Sequence, residues 1–145
     1  MNLDTLYQEV ILDHYKNPLN KKLSPTYDVQ VHHINPSCGD EITLNLTAVD
    51  GVITAITWDG VGCSISQASV SIASDLLMGK TFEQAQMISD EFVDLMQSKG
   101  KKIGDEATLE DAVALAGVSQ YPARIKCALL GWMAIKDASI QSQTK

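Results

Sequence analysis

Apolar residues recur at helical spacing at the start of the chain and then change period. Leu3, Leu6, Tyr7, Val10, Ile11 and His14 fall at i, i+3, i+4, i+7 intervals, which predicts an amphipathic helix over 3–15 that stops before Asn17-Pro18. Residues 19–25 carry Pro, Asn, Lys and Ser without periodicity and read as a loop. The period then falls to two. Tyr27, Val29 and Val31 alternate with polar neighbours, Ile42, Leu44 and Leu46 do the same, and Val52 to Trp58 is rich in β-branched residues, so three strands are expected. Asp50-Gly51 supplies a two-residue hairpin turn between the last two.

From Cys63 the pattern is helical again. Ile65, Ala68, Ile72 and Leu76 share one face, and Gly79 is placed to end the helix. Thr81 followed by Gln84 forms a capping box for a helix over 82–98 that ends at Gly100. A further helix is expected after Thr108, lined by Leu109, Ala112, Val113 and Ala116 and stopped by Gly117. The last helix is read from Pro122 to Ala138 with Ile125, Leu129, Trp132 and Met133 as its apolar stripe, leaving 138–145 as a frayed tail. Strands early and helices late predict an α+β fold, with helices packed on one face of a small three-stranded antiparallel sheet. A chain of 145 residues suits one domain, 1–145, that buries a core without disulfides.

Composition narrows the functional classes. The net charge of -7 argues against nucleic acid, whose phosphates require clustered Lys and Arg. No apolar run approaches the length of a membrane span, and the first residues lack the basic and apolar regions of an export signal, so a cytoplasmic protein is expected. The three cysteines are odd in number and suit a reducing compartment, where thiols serve as metal ligands, nucleophiles or packing groups.

A free cysteine is often a small buried hydrophobe, so local context has to separate the roles. Cys38 lies in Asn35-Pro36-Ser37-Cys38-Gly39-Asp40, a polar turn-forming stretch that offers no apolar surroundings. Gly39 lets that loop bring Cys38 and Asp40 to one ion. Cys63 follows Gly60-Val61-Gly62 at a helix N-terminus, where open backbone N–H groups and the helix dipole favour a thiolate. Cys127 sits among Ile125, Ala128, Leu129 and Leu130, where burial for packing explains it equally well. Together Cys38, Asp40, Cys63 and Cys127 make a four-donor set of the kind tetrahedral zinc takes, and soft sulfur also suits iron–sulfur clusters. Arg124 lies three residues before Cys127 on the same helix side; it is either a cation offsetting an anionic site or a solvated surface residue. His32 and His33 are adjacent in a strand and face opposite sides, which argues against a joint ligand role, and His14 reads as a satisfied core or boundary residue.

The three cysteine segments, the second continuing into Ser66-Gln67-Ala68-Ser69 and the third being Arg124-Ile125-Lys126-Cys127, closely resemble the IscU-like (NifU N-terminal) iron–sulfur cluster assembly family. The resemblance implies an IscU/SufE-like fold and a site in which Cys38, Asp40, Cys63 and Cys127 bind zinc or a nascent cluster. Lys126 stands where scaffold-type members usually carry His, and the chaperone-binding Leu-Pro-Pro-Val-Lys segment is missing. The span from Cys63 to Cys127 also looks longer than in that branch, with the surplus around 82–105. These departures are similar to the SufU branch, which implies Zn2+ and a sulfurtransferase role: taking persulfide from a SufS-like cysteine desulfurase for downstream Suf cluster-assembly proteins. Arg124 matches an arginine of that branch and is read as orienting the partner or the persulfide. Among the cysteines, Cys38 is expected to accept sulfur, because a loop can swing from the ion while helix-borne Cys63 and Cys127 stay fixed. The alternatives are a scaffold holding iron or a transient [2Fe-2S] cluster, and a structural zinc module.

Overall fold

Strand register decides which side chains meet in this molecule. A computed structural model describes residues 3–144, apart from the side chains of Leu3 and Asp4; the expected apolar role of Leu3 and the place of Lys145 in the tail lie outside the described residues. Strands β1 (Val29–Asn35), β2 (Asp40–Val49) and β3 (Val52–Val61) form an antiparallel sheet in that order. Val29 pairs with Leu46, Val31 with Leu44 and Asn35 with Asp40, while Leu44 pairs with Trp58 and Leu46 with Ile56. Since alternate residues share a face, Val31, Leu44, Trp58 and Ile42 point inward with Asn35 and Asp40, and all are buried. The expected turn at Asp50-Gly51 is present, both residues having positive φ (52° and 79°).

Helices cover that inner face, as the α+β reading requires. They are α1 (Leu3–Lys16), α2 (Ser64–Leu77), α3 (Phe82–Met96), the single turn α4 (Glu106–Leu109) and α5 (Pro122–Gln143), with a 3₁₀ segment over Glu110–Gln120. α5 lies against β1 and β2, and α2 is packed between α5 and α1. α2 and α5 approach so closely that a Cβ at Gly131 would come within 2.5 Å of Val70 Cβ. α2 is buried nearly all round, wider than the predicted face. Its serines satisfy the polar groups this encloses: Ser69 Oγ donates to the Ala128 carbonyl at 2.6 Å and accepts from Trp132 Nε1 at 2.9 Å. Trp132 also stacks on Phe92, with ring centroids 4.2 Å apart. The Thr81/Gln84 capping box is formed in both directions.

Several boundaries differ from expectation. The helix predicted after Thr108 breaks at Glu110, whose φ of 47° interrupts the α ladder, and continues as 3₁₀ through Gly117 to Gln120. Gly117 ends nothing. Termination comes instead from Pro122, which opens α5. α5 runs to Gln143 rather than fraying after Ala138, and its C-terminal half is held by Ala138 in the core and by Asp137 bonded to His33. Its buried stripe is partly rotated: the expected Trp132 is buried, together with Cys127, Ala128, Ala134, Ile135 and Ala138, whereas Ile125, Leu129 and Met133 are half-buried. Leu6, expected on the apolar face of α1, is exposed. Among the described residues, no helix is long and apolar enough to cross a membrane.

The histidines behave as spacing requires. His14 is buried and joins Ser71 Oγ of α2 (2.9 Å) to Asp111 Oδ2 of the 3₁₀ segment (2.9 Å), pinning α1 to both. His32 turns outward to Glu41, and His33 turns inward to Asp137 at 2.8 Å. The His33 bond, assisted by Gln141, holds the Asp137 carboxyl below its ordinary 3.8. A carboxyl lowered by folding stabilises the native state above its unfolded value and loses that contribution as pH falls through the folded one. Asp137→Asn is therefore expected to lower the melting temperature at neutral pH, with the difference from wild type shrinking below about pH 4. A pH-independent difference in thermal denaturation would show that the pair contributes packing only.

Candidate metal centre

Three segments distant in sequence deliver the donors to one end of the sheet. Asp40 opens β2 on the parity of Ile42, Leu44 and Leu46, so its carboxylate enters the core and is fully buried. A buried carboxylate needs partners. Oδ1 accepts the Cys63 backbone N–H at 2.9 Å, and Oδ2 faces Asn35 Nδ2 at 3.5 Å, which leaves lone pairs free. Gly62 is required here by space: a Cβ would lie 2.4 Å from Asp40 Oδ1 and 2.6 Å from Ser66 Oγ. In the turn between β1 and β2, Gly39 has φ of 69°, which allows Cys38 to fold back over Asp40.

The Cys38 and Cys127 sulfurs lie 3.1 Å apart, and both thiols face the Ala123 carbonyl, at 3.9 and 3.7 Å. One ligand atom each from Cys38, Asp40 and Cys127 falls within 4.8 Å of the others. Cys63 is not in that mutual set. It sits at the N-cap of α2, half-buried beside it, with its main chain bonded to Asp40 and its thiol acting on that of Cys127. The structure thus gathers three of the four expected ligands tightly, with the fourth at their edge. Burial pushes the Cys127 thiol far above its ordinary value, and the neighbouring Cys38, Asp40 and Cys63 push it further. Three thiols and a carboxylate cannot all ionise together in a buried corner without a cation. A divalent ion favouring soft, four-coordinate surroundings fits this donor set.

Asn35 was not singled out by the sequence. Its amide reaches both Asp40 and the Cys127 sulfur (3.9 Å), so it holds the donors in place. The available signal was register: Asn35 and Asp40 flank the turn and share the inward parity. Arg124 is exposed on the first turn of α5 and, among the described residues, forms no ion pair. With Cys63 it lines a cleft of about 610 Å³ between α1, the start of α2 and the 3₁₀ segment.

An antiparallel sheet capped by helices, with a cysteine–aspartate centre at its edge, defines a small metal- or cluster-handling domain. The NifU-like N-terminal domain family matches residues 6–128. The zinc-dependent sulfurtransferase SufU of Bacillus subtilis (strain 168) is 46% identical over 135 residues, covering 93% of this chain and 90% of that protein. The iron–sulfur cluster assembly scaffold protein IscU of Streptococcus pyogenes serotype M1 is 39% identical, covering 94% and 84%. A crystal structure from Fervidobacterium islandicum AW-1, described as a putative iron-sulfur cluster assembly scaffold protein for the SUF system, superimposes with a TM-score of 0.84 at 30% identity, covering 95% of this chain and 99% of that one. This chain belongs to the NifU-like N-terminal domain family.

Proposed function

We propose that this protein is a zinc-dependent sulfur acceptor that takes persulfide sulfur from a cysteine desulfurase of the SufS kind for iron–sulfur cluster assembly in the cytoplasm. The observation that carries this reading is the convergence of Cys38, Asp40 and Cys127 within 4.8 Å, with Cys63 beside them. The names of the SufU and IscU relatives support it.

Cys38, Asp40, Cys63 and Cys127 would hold the zinc. When bound, zinc keeps these sulfurs as thiolates and restrains them until a partner docks. Cys38 is the residue free to act, because it sits in a turn and is half-buried, whereas Cys127 is fixed in α5. Its thiolate attacks the terminal sulfur of the desulfurase persulfide. A new S–S bond forms at Cys38 Sγ, the donor's S–S bond breaks, and its electron pair returns to the desulfurase thiolate with no net redox change.

The test mixes protein, desulfurase and cysteine, and measures sulfide release and cluster formation separately. Stimulated sulfide release with zinc retained is expected. Cluster assembly on this chain, inhibited by zinc, would instead establish the scaffold role, with iron or a transient [2Fe-2S] cluster on the same residues as cargo; the soft donors and the relationship to IscU favour that second reading.

Arg124 is assigned to positioning the partner or its anionic persulfide, because it is exposed, has no ion-pair partner among the described residues and lines one cleft with Cys63. Arg124→Ala is expected to keep zinc bound while desulfurase stimulation falls by about tenfold, the effect of losing roughly 1.4 kcal/mol. Full stimulation in this variant would reduce Arg124 to a solvated surface charge.

A further inference from the structure

Two of the three cysteines are placed to react with each other as well as with an ion. All three are free thiols, but they differ in exposure and in anchorage. The Cys38 and Cys127 sulfurs are 3.1 Å apart, held side by side because both thiols face the Ala123 carbonyl, at 3.9 and 3.7 Å. A disulfide bond is about 2.05 Å long, so the pair has to close by only about 1 Å. The turn from Pro36 to Gly39 carries Cys38 and supplies that movement without shifting a helix.

Access and shelter are divided between the two. Cys38 is half-buried, so a small oxidant reaches its sulfur from solvent, whereas Cys127 is fully buried in α5. Susceptibility to oxidation follows exposure, and a redox-sensing cysteine stands next to a second thiol that resolves it. Cys63 is the less suited partner. Its backbone is tied on both sides, the N–H to Asp40 Oδ1 at 2.9 Å and the carbonyl to the Gln67 N–H and Ser66 Oγ at 3.1 Å each, so it moves only with the start of α2.

We propose that Cys38 and Cys127 are a redox pair, which a peroxide oxidises to an intramolecular disulfide that takes both sulfurs out of the metal donor set. The Cys38 sulfur attacks one peroxide oxygen, the O–O bond breaks and water leaves, giving a sulfenic acid. The Cys127 sulfur then attacks the Cys38 sulfur; the S–S bond forms, the S–O bond breaks and a second water leaves. The pair loses two electrons and the peroxide gains them, with the two protons taken from the thiols or from solvent. Asp40 and Cys63 remain, half the number of donors that tetrahedral zinc takes, so the ion is released. Disulfides in a reducing compartment are transient and redox-sensing, and a dithiol reverses this one by exchange. Under peroxide the centre stops accepting sulfur until it is reduced, a consequence that rests on the function proposed above; the bond itself does not.

The test titrates hydrogen peroxide into the metal-loaded protein, with no desulfurase present, and follows released metal with a colorimetric indicator. Intact mass is recorded, the remaining thiols are blocked, and unreduced peptides are mapped. A mass loss of about 2 Da is expected, from the two hydrogens removed. A Cys38–Cys127 linked peptide should accompany it, with one ion released per bond formed and both thiols recovered by dithiothreitol. Cys38→Ser, a change confined to a turn, should lose the mass change, and Cys63→Ser should keep it. A bond that includes Cys63, oxidation that stops at sulfinic or sulfonic acid on Cys38, linkage only between chains, or metal retained by the disulfide-bonded protein would overturn the assignment. Mass reads the bond with or without metal, so a protein that carries no zinc would count against the proposed function while the mapped bond still decides the pair.

Discussion

Cys38→Ser is expected to abolish sulfur uptake, lowering transfer from the desulfurase by at least about a hundredfold, or roughly 2.7 kcal/mol of barrier. A serine hydroxyl is not ionised near neutral pH and is a poor sulfur nucleophile, whereas a thiolate is both ionised and polarisable. The choice of Cys38 over its neighbours follows from where each is anchored. Cys127 is fully buried in α5, and Cys63 caps α2 with its backbone bonded to Asp40, so moving either would disturb a helix. Cys38 occupies a four-residue turn, Pro36 to Gly39, between two strands, so its thiol, 3.9 Å from the Ala123 carbonyl and 3.1 Å from the Cys127 sulfur, can move without displacing a helix. Mass spectrometry of persulfide trapped after a single turnover measures the outcome directly. Sulfur recovered on Cys63 or Cys127 in the wild type, or undiminished transfer by Cys38→Ser, would refute the assignment.

Cys127→Ala is expected to strip the metal and lower the melting temperature by about 10 °C or more. A ligand present at a thousand times its Kd stabilises the native state by about 4 kcal/mol, and each kcal/mol moves a domain of this size by roughly 2–4 °C. The site's own electrostatics point the same way, since a buried thiol driven far above its ordinary value by burial and three polar neighbours binds metal only by giving up its proton. Chelating the wild type should reproduce most of the loss, and chelator should do nothing more to the variant. That comparison isolates the small cavity left by the missing sulfur. Metal retained by Cys127→Ala, or a wild type whose melting temperature ignores chelator, would remove Cys127 from the ligand set.

What the sequence determined by itself was local. Alternation placed the first two strands and β-branched content the third, Asp50-Gly51 the hairpin turn, and Thr81 with Gln84 the start of α3, because each depends on side-chain chemistry within a few residues. The turn holding Cys38 and the N-cap position of Cys63 were legible for the same reason. Where neighbours were distant, the pattern failed: the segment after Glu110 is 3₁₀ rather than α, and α5 persists to Gln143 because β1 and the core hold it. Cys127 was the divided case, since an apolar helix explains a buried cysteine without any metal. Only tertiary structure sets where its sulfur lies, turning the buried stripe of α5 so that Cys127 meets Cys38, a residue 89 positions away, near the inward-facing Asp40. Register explains why Asp40 is buried: a carboxyl group on the core parity of β2 cannot reach water, so its oxygens are met by the Cys63 N–H and by Asn35.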